Sequence, residues 1–217
     1  MRKFEDTYRH KGLRKKLIEL LVAKGITDNT VLRVIENIPR HFFLDSAFVG
    51  QAYEDRAFPI AEGQTISQPY TVAYQTQLLN VKPFDKILEV GTGSAYQACV
   101  LAEMAAVVYT IERQKKLYDA QLNFYFKNKY PNIKFFYGDG FAGLPSFAPF
   151  DKIIVTAGAP YIPEALKEQL KIGGILVIPV GEGIVQKMLR LNKISDNEFT
   201  EEVLDNFAFV PMLKGKT

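Results

Sequence analysis

The sequence has few of the residues that build disulfide and metal sites. Of its 217 residues, one is cysteine, two are histidine and none is tryptophan. A single thiol, Cys99, forms no internal disulfide, and its position in an apolar helical pattern indicates a packed side chain. His10 and His41 lie far apart in the sequence, and neither belongs to a pair with the short spacing typical of metal ligands. We therefore predict no metal site and no Ser-His-Asp arrangement.

Long apolar runs and concentrated charge are also missing. No run has the length of a membrane span, and the first residues (MRKFED) lack the apolar segment of a signal peptide. The net charge is +3, and the basic residues are scattered, without the stripe typical of nucleic-acid binding. We expect a cytoplasmic protein without nucleic-acid or membrane partners. We also expect a monomer, because no long exposed apolar stripe is evident.

A glycine-rich turn at residues 91–94 is the most informative feature that is present. Residues 86–90 (KILEV) form an apolar strand pattern, and apolar residues recur at helical spacing over 98–102. Gly91 and Gly93 allow backbone to approach a ligand closely, and the next helix offers unpaired N–H groups at its positive end. Such a turn suits a nucleotide-like ligand, although it also occurs as a tight connection and nothing more.

Three acidic residues close or follow three strand patterns. Glu89 lies near the end of the first strand, Glu112 closes the run 107–111, and Asp139 follows the run 133–137. The carboxyl ends of parallel strands meet at one edge of a sheet, where an acid can accept the hydroxyls of a ribose. The three acids therefore predict a ligand site at this edge.

The loop favours S-adenosylmethionine over a dinucleotide. A dinucleotide fingerprint has glycine at its sixth position, where this chain has Tyr96. Glu89 would repel a pyrophosphate and attract a cation, and S-adenosylmethionine carries a sulfonium and an ammonium but no phosphate. The alternative for Glu89 is a strand-end carboxylate that caps a helix.

Residues 1–80 are predicted to form an N-terminal helical cap with an active-site loop, and residues 81–217 the cofactor-binding core. Leucines at helical spacing predict a helix over 8–24, and Asp28 is the expected N-cap of a second helix. Residues 40–55 are aromatic-rich and irregular. We expect them to pack the cap against the core.

The segment 63–70 (GQTISQPY) leads from the cap to the core. Pro69 suits the first turn of a helix, and Ser67 is well placed as the N-cap of that helix. Capping alone would explain the serine. A hydroxyl at a helix N-terminus also lies in a field that attracts anions, so both roles stay open.

Strand and helix patterns alternate after the glycine loop, which is typical of a doubly wound α/β sheet. Further strands are predicted at 107–111, 133–137, 151–156 and 173–181, and helices at 114–127, including Leu117, Gln121 and Phe124, and at 163–170. The last two strand patterns, 187–194 and 202–213, flank a polar turn and predict an antiparallel hairpin at the sheet edge. Which of the two lies inside is left undecided. Residues 214–217 are expected to be a frayed tail.

Taken together, these residues closely resemble the protein-L-isoaspartate O-methyltransferase family over nearly the whole chain. The most specific segments are 63–70, 88–97, 138–140, 173–181 and 209–211. The resemblance implies an α/β, Rossmann-like, seven-stranded S-adenosylmethionine-dependent methyltransferase fold with a mostly parallel doubly wound sheet. It also implies repair chemistry: a methyl group moves from S-adenosyl-L-methionine to the free α-carboxylate of L-isoaspartyl residues in damaged proteins and peptides, leaving S-adenosyl-L-homocysteine.

The resemblance implies the site residues as well. Ser67 is the implied catalytic residue, in a loop between cofactor and substrate. The implied cofactor contacts are Thr65, Ile66, Ser67, Glu89, Gly91, Thr92, Gly93, Ser94, Glu112, Asp139 and Gly140. The family usually has glycine where this chain has Ala95, which adds a methyl group beside the expected methionine part of the cofactor. If φ is positive there, we expect strain of about 1 kcal/mol.

An α-carboxylate is already ionised at neutral pH, so this chemistry needs no general base and fits a chain with no evident catalytic histidine.

Three other interpretations of the function stay open. A nucleic-acid amino-methyltransferase would have Asn or Asp before two prolines where this chain has residues 156–161 (TAGAPY). A small-molecule O-methyltransferase would need a base or a metal. A non-catalytic module would be expected to lose the acids at 89, 112 and 139.

Overall fold

The computed structural model describes residues 5–123 and 125–217. The helices of this part are α1 (Tyr8–Ala23), α2 (Asn29–Asn37), α3 (Pro69–Leu79), α4 (Tyr96–Glu103), α5 (Lys115–Leu122) and α6 (Glu164–Glu168). The strands are β1 (Phe58–Pro59), β2 (Thr65–Ile66), β3 (Lys86–Val90), β4 (Val107–Glu112), β5 (Ile133–Tyr137), β6 (Phe150–Val155), β7 (Leu170–Val180), β8 (Gln186–Lys193) and β9 (Phe199–Phe207). None of the described helices combines the length and apolarity needed to cross a membrane.

Seven of the strands form one sheet in the order β5-β4-β3-β6-β7-β8-β9. The pairs from β5 to β7 are parallel, whereas β8 and β9 pair antiparallel with their neighbours. The predicted α/β fold and its C-terminal hairpin are confirmed. β8 is the inner strand of the hairpin, the point that the sequence left undecided. The strand order reverses beside β3, and ligands of such sheets bind where this occurs.

Alternating side chains of the central strands supply a core on each face of the sheet. Ile87 and Val108 pack with Leu21 of α1 and the other N-terminal helices, whereas Leu88 and Ile153 belong to the core of the opposite face. The first core draws residues from both 1–80 and 81–217, so the cap and the rest of the chain share one apolar interior. The division at residue 80 stays a prediction.

The N-terminal helices form where the sequence predicts them. Asp28 is the N-cap of α2, and its side chain accepts the N–H groups of Thr30 and Val31. Helix α5 is shorter than predicted, because it ends at Leu122. Phe124, which the predicted helix included, lies outside the described residues.

The prediction for the last strand is wrong at both ends. β9 begins at Phe199 and ends at Phe207, and residues 208–213 leave the sheet. These residues bond instead to the loop after β6: the Gly158 N–H donates to the carbonyl of Val210 (2.8 Å), and the Met212 N–H donates to the carbonyl of Gly158 (2.8 Å).

The expected fraying of residues 214–217 is also wrong. The Gly215 N–H donates to Asp139 Oδ2 (2.8 Å). The Thr217 N–H donates to the carbonyl of Arg113 (3.0 Å), and the Lys115 N–H donates to the carbonyl of Thr217 (2.7 Å). Three hydrogen bonds, to Asp139, Arg113 and Lys115, therefore fix this segment (residues 214–217), which we call the C-terminal strap.

Candidate active site

A cavity lies at the carboxyl ends of β3, β4 and β6, where the strand order reverses. The space within it and its open mouth amounts to about 780 Å³. Most of the residues implied by the family resemblance line it: Thr65, Ile66, Ser67, Gly91, Thr92, Gly93, Ser94, Glu112 and Gly140. The structure thus brings together parts of the chain that are distant in sequence.

Neighbouring strands fix the backbone of the glycine loop. The Gly91 N–H donates to the carbonyl of Ile111 (3.0 Å), and the hydroxyls of Thr92 and Thr110 lie 2.7 Å apart. Gly91 has φ of 104°, and a Cβ atom there would lie 2.6 Å from Thr156 Oγ1. The Thr156 hydroxyl also donates to the Gly91 carbonyl (2.8 Å). A side chain at position 91 is therefore excluded both by backbone conformation and by space.

Glu112 presents a carboxylate to the cavity at the end of β4. Its Oε2 accepts the Gly93 N–H (2.9 Å), and its Oε1 accepts the Gln114 N–H (2.8 Å). These bonds orient the carboxylate and tie the glycine loop to β4. Each oxygen keeps a second lone pair, so the group can still accept the hydroxyls of a ribose.

Glu89 does not line the cavity. It is fully buried in β3, and neither of its carboxylate oxygens has a hydrogen-bond partner within residues 5–123 and 125–217. Burial raises the pKa of Glu89 to about 8, the nearby Thr110 hydroxyl lowers it, and the charge of Glu112 raises it further. A carboxylate without such bonds caps no helix, which removes the alternative considered for this residue.

Asp139 also lies outside the cavity lining, but its neighbour Gly140 is part of it. Asp139 Oδ1 accepts the Phe141 N–H (2.9 Å), and Oδ2 accepts the N–H of Gly215 in the C-terminal strap. A Cβ atom at Gly140 would lie 2.5 Å from Val90 Cγ1. The turn therefore approaches β3 closely and needs glycine at this position.

Ser67 is not the N-cap of the helix that follows it, contrary to the prediction. Gln68 occupies that position, without a capping side-chain bond. Asp55 supplies the bond instead, since its Oδ1 accepts the Tyr70 N–H (2.8 Å) in the first turn of α3. The Ser67 hydroxyl has no partner among the described residues, and Ser67 lines the cavity. Its hydroxyl is available to a ligand.

The cavity has further lining residues that sequence reasoning missed. Gln97, in the first turn of α4, is 7% exposed, and its Oε1 has no hydrogen-bond partner in the described part of the chain. Its amide nitrogen donates to the Thr76 hydroxyl (3.0 Å). Gln97 is the second residue of α4, directly after the glycine loop, and this position could have indicated it as a cavity-lining residue. Residues 210–213 also line the cavity, and no local pattern predicts that.

A groove adjoins the cavity and shares Thr65, Ser67, Thr156 and Val210 with it. It continues between the first turn of α3 and the end of β9, where its lining is Tyr70, Thr71 and residues 205–209. A chain segment lying in this groove would bring one of its groups to Ser67, at the junction with the cavity.

His10 and His41 are adjacent in space, contrary to the expectation from their separation in sequence. Their ring centroids lie 3.9 Å apart, and with Asp6 they place three candidate ligand atoms within 4.8 Å of one another. Both Asp6 oxygens already accept bonds from Arg14, at 2.8 and 2.7 Å. A guanidinium in this position repels a cation, so the cluster gives no support to a metal site. The absence of a metal stays a prediction.

The buried acceptors of the site fit S-adenosylmethionine. Gln97 Oε1 lines the cavity and is buried without a partner in the described part of the chain, and Glu112 adds a carboxylate. Such a set suits a ligand with positive charge and hydroxyl groups, whereas it opposes a pyrophosphate.

Comparisons with known proteins agree with this arrangement. The family model for protein-L-isoaspartate(D-aspartate) O-methyltransferase (PCMT) matches residues 12–217. A protein-L-isoaspartate O-methyltransferase of Cytophaga hutchinsonii is 56% identical over 209 residues, which is 96% of this chain and 94% of the relative. The corresponding protein of Flavobacterium johnsoniae is 54% identical over 212 residues, covering 98% of this chain and 99% of its own length.

Solved structures of the same name share the fold. One protein-L-isoaspartate O-methyltransferase has a TM-score of 0.82 and 27% identity over 91% of this chain, which spans 65% of that protein. A structure from Plasmodium falciparum, solved in complex with S-adenosyl-L-homocysteine, has a TM-score of 0.81 and 27% identity over 93% of this chain and 99% of its own. On the family match and the identity to full-length relatives, the chain belongs to the S-adenosylmethionine-dependent protein-L-isoaspartate(D-aspartate) O-methyltransferase family.

Proposed function

We propose that this member of the family methylates the free α-carboxylate of L-isoaspartyl residues in damaged proteins and peptides, and that it does so at the junction of the cavity and the groove. The position of the Ser67 hydroxyl carries the proposal. Ser67 lines both spaces, and its hydroxyl has no hydrogen-bond partner among the described residues. A hydroxyl in this place can donate to an anionic acceptor that enters along the groove.

The cavity residues would bind the cofactor in three parts. Glu112 would accept the ribose hydroxyls, Gly140 would lie against the adenine, and the backbone of residues 91–94 would contact the methionine part together with the free Oε1 of Gln97. S-adenosylmethionine, when bound, supplies an electrophilic methyl group on a sulfonium. Residues 65–67 lie where they can separate this group from water.

Glu89 and Asp139 act on the cofactor indirectly in this proposal. Burial raises the pKa of Glu89 to about 8, so the group is largely protonated at neutral pH, and a cation bound in the neighbouring cavity would favour its ionised form. Asp139 fixes both the turn that carries Gly140 and the C-terminal strap, through the bonds to Phe141 and Gly215.

Methyl transfer then requires only that the acceptor carboxylate be aligned with the methyl group of the cofactor. The acceptor carboxylate has a reference pKa of about 3.5 and is ionised at neutral pH, so no residue has to remove a proton. Ser67 would donate a hydrogen bond to one carboxylate oxygen and so direct the other toward the methyl group. Correct positioning of two reactants can lower a barrier by roughly 7 to 11 kcal/mol.

The proposal includes a cytoplasmic monomer that uses no metal and binds neither nucleic acid nor membrane. The scattered basic residues and the net charge of +3 support the absence of a nucleic-acid partner. Sedimentation tests the monomer directly: a mass of 24.5 kDa is expected, and a stable dimer would contradict this part of the proposal.

The decisive experiment is methyl transfer from labelled S-adenosylmethionine to two synthetic peptides that differ only in one isoaspartyl or normal aspartyl linkage. We expect base-labile label on the isoaspartyl peptide alone. Cofactor binding without label on either peptide would retain the methyltransferase fold, exclude the repair reaction and direct the search to small-molecule acceptors.

A further inference from the structure

Arg40 is a buried arginine without a carboxylate partner. It lies in a short 3-10 helix (Arg40–Phe43) and is 0% exposed. No Asp or Glu oxygen of residues 5–123 and 125–217 lies within ion-pair distance of its guanidinium. Burial lowers the pKa of Arg40 to about 10, so the group remains charged at neutral pH. A buried charge of this kind is costly and needs a compensating role.

The guanidinium donates to backbone carbonyls of three separate segments. Its NH1 group donates to Ala52 (2.8 Å), and its NH2 group donates to Ser67 (2.9 Å) and to Arg56 (3.3 Å). The rings of Phe58 and Tyr96 face it at 5.6 and 5.8 Å. The planar guanidinium thus connects the irregular region before β1 with the loop that carries Ser67.

Arg40 contacts the Ser67 loop from the protein interior. The Ser67 carbonyl binds Arg40, while the Ser67 residue lines the cavity and the groove. On the following residues, Asp55 accepts bonds from the Gln68 side chain (3.0 Å) and the Tyr70 N–H (2.8 Å). Arg40 and Asp55 therefore fix the chain that directly follows the Ser67 Cα atom, at residues 67–70.

We propose that Arg40 is a positioning residue for methyl transfer: its guanidinium sets the position of the Ser67 hydroxyl by binding the Ser67 carbonyl. The proposal rests on the proposed function for its effect on turnover. The position of the loop itself can be measured without any substrate.

The first test measures loop position by thiol labelling. Cys99 is buried, so Ser67→Cys introduces one accessible thiol at the site. We expect Arg40→Met in the Ser67→Cys background to change the labelling rate by at least about tenfold. The variant removes the bond to the carbonyl of residue 67, and the loop can then move and change the solvent exposure of the thiol. Leu21→Ala in the same background is the matched control, because Leu21 is buried in α1 and lines neither the cavity nor the groove.

The second test compares kcat with cofactor affinity in the native Ser67 background. Arg40→Met should lower kcat about tenfold or more and leave the Kd for S-adenosyl-L-homocysteine within about threefold, because the lost alignment acts on the reacting groups. Arg40→Lys, which keeps the charge and donates fewer directed bonds, should retain more kcat than Arg40→Met and serves if the latter fails to fold. Leu21→Ala should keep the wild-type kcat below its unfolding temperature.

Labelling at the parent rate together with a kcat equal to that of Leu21→Ala would overturn the proposal and leave Arg40 as a residue of fold stability. If the wild-type protein methylates neither test peptide, the proposed function fails, while the labelling comparison still decides whether Arg40 positions the loop.

Discussion

At the scale of single residues, Ser67 has the clearest expected effect. Ser67→Ala removes the hydroxyl of a cavity-lining residue. A hydrogen bond to a charged group contributes about 1.5–3 kcal/mol, so kcat should fall about tenfold or more. Since Asp55 and not Ser67 bonds the first turn of α3, the unfolding temperature should hardly change. Kinetics on the isoaspartyl peptide and thermal unfolding measure the two effects.

Ser67→Thr is the control for this prediction, since it keeps a hydroxyl at the same position. An unchanged kcat for Ser67→Ala together with a lower unfolding temperature would show that the serine stabilises the helix and takes no part in the reaction.

Ala95 gives a second prediction at this scale. It precedes α4 with φ of 65°, in the left-handed region, and is fully buried. Ala95→Gly relieves about 1 kcal/mol of strain and loses a buried methyl group of similar worth, so stability should stay within about 1 kcal/mol. Ala95→Val adds a branched side chain in that conformation and should lose about 2 kcal/mol or more.

Denaturant unfolding of the two Ala95 variants measures these differences. The cofactor Kd of Ala95→Gly should stay within a few-fold of wild type, because Ala95 does not line the cavity. A hundredfold change of Kd in either direction would show that this description of the loop is wrong.

The acidic residues show how far sequence reasoning reaches at this scale. Glu112 lies where a strand-end acid is expected, because its position follows from the strand alone. The side chain of Glu89 belongs to a strand interior, where side-chain direction alternates with every residue and Val90 takes the cavity side. Asp139 bonds to Gly215, a contact between distant parts of the chain that no local pattern contains.

At the scale of elements, the helices and parallel strands follow from local periodicity, and the C-terminal residues do not. Residues 208–213 include apolar side chains that favour an extension of the strand. Their backbone instead forms hydrogen bonds with Gly158, and residues 210–213 line one side of the cavity. Pairing partners decide whether such a run continues a strand, and partners are a property of the fold. The same holds for the C-terminal strap, whose polar composition is typical of a frayed end.

The C-terminal strap provides the prediction for this scale. Its bonds to Asp139, Arg113 and Lys115 place it next to Met212 and Leu213, which line the cavity. Removal of residues 214–217 should release this wall and raise the Kd for S-adenosyl-L-homocysteine by about three- to tenfold, equivalent to about 0.7–1.4 kcal/mol. Calorimetry on the shortened and full-length proteins measures the change.

The double variant Lys214→Met with Lys216→Met is the matched control, since it keeps the backbone bonds of the strap and removes the two charges with their contacts to the rings of Phe141, Tyr161 and Tyr137. It should bind the cofactor product as the wild type does. An unchanged Kd after removal of 214–217 would show that the strap takes no part in shaping the cavity.

At the scale of the whole molecule, the N-terminal cap contains a titratable cluster that links stability to pH. His41 is buried between the ring of His10 and the hydroxyl of Tyr53, whose oxygen lies 2.6 Å from His41 Nδ1. The carbonyl of Glu5 lies 3.2 Å from His41 Nε2. A carbonyl only accepts, so Nε2 carries the proton of the neutral ring and Nδ1 accepts from Tyr53. Arg14, charged, bonds to the same tyrosine (2.9 Å).

This cluster predicts that the stabilising contribution of neutral His41 is lost as the pH falls below about 6.5, the usual pKa of histidine. Burial lowers the pKa of His41 to about 4, so the unfolded chain binds more protons than the folded one between these values. The contribution of His41 to stability is therefore full above pH about 6.5 and is lost toward pH about 4, by about 1–2 kcal/mol after allowance for solvent screening. Glu89, whose pKa burial raises to about 8, has the opposite dependence, so the effect of His41 is measured as the difference between the wild type and a His41 variant. Asp6, whose pKa Arg14 lowers, adds its loss only at still lower pH.

Urea unfolding at a series of pH values, with His41→Asn as the comparison, tests this linkage. The asparagine side chain can donate and accept but does not titrate, so the variant should be less stable near neutral pH, and its disadvantage relative to the wild type should shrink between pH about 6.5 and 4. His10→Asn controls for the loss of the stacked ring. Equal slopes in the wild type and His41→Asn would assign the acid sensitivity to other groups and would leave the cap without a titratable role in stability.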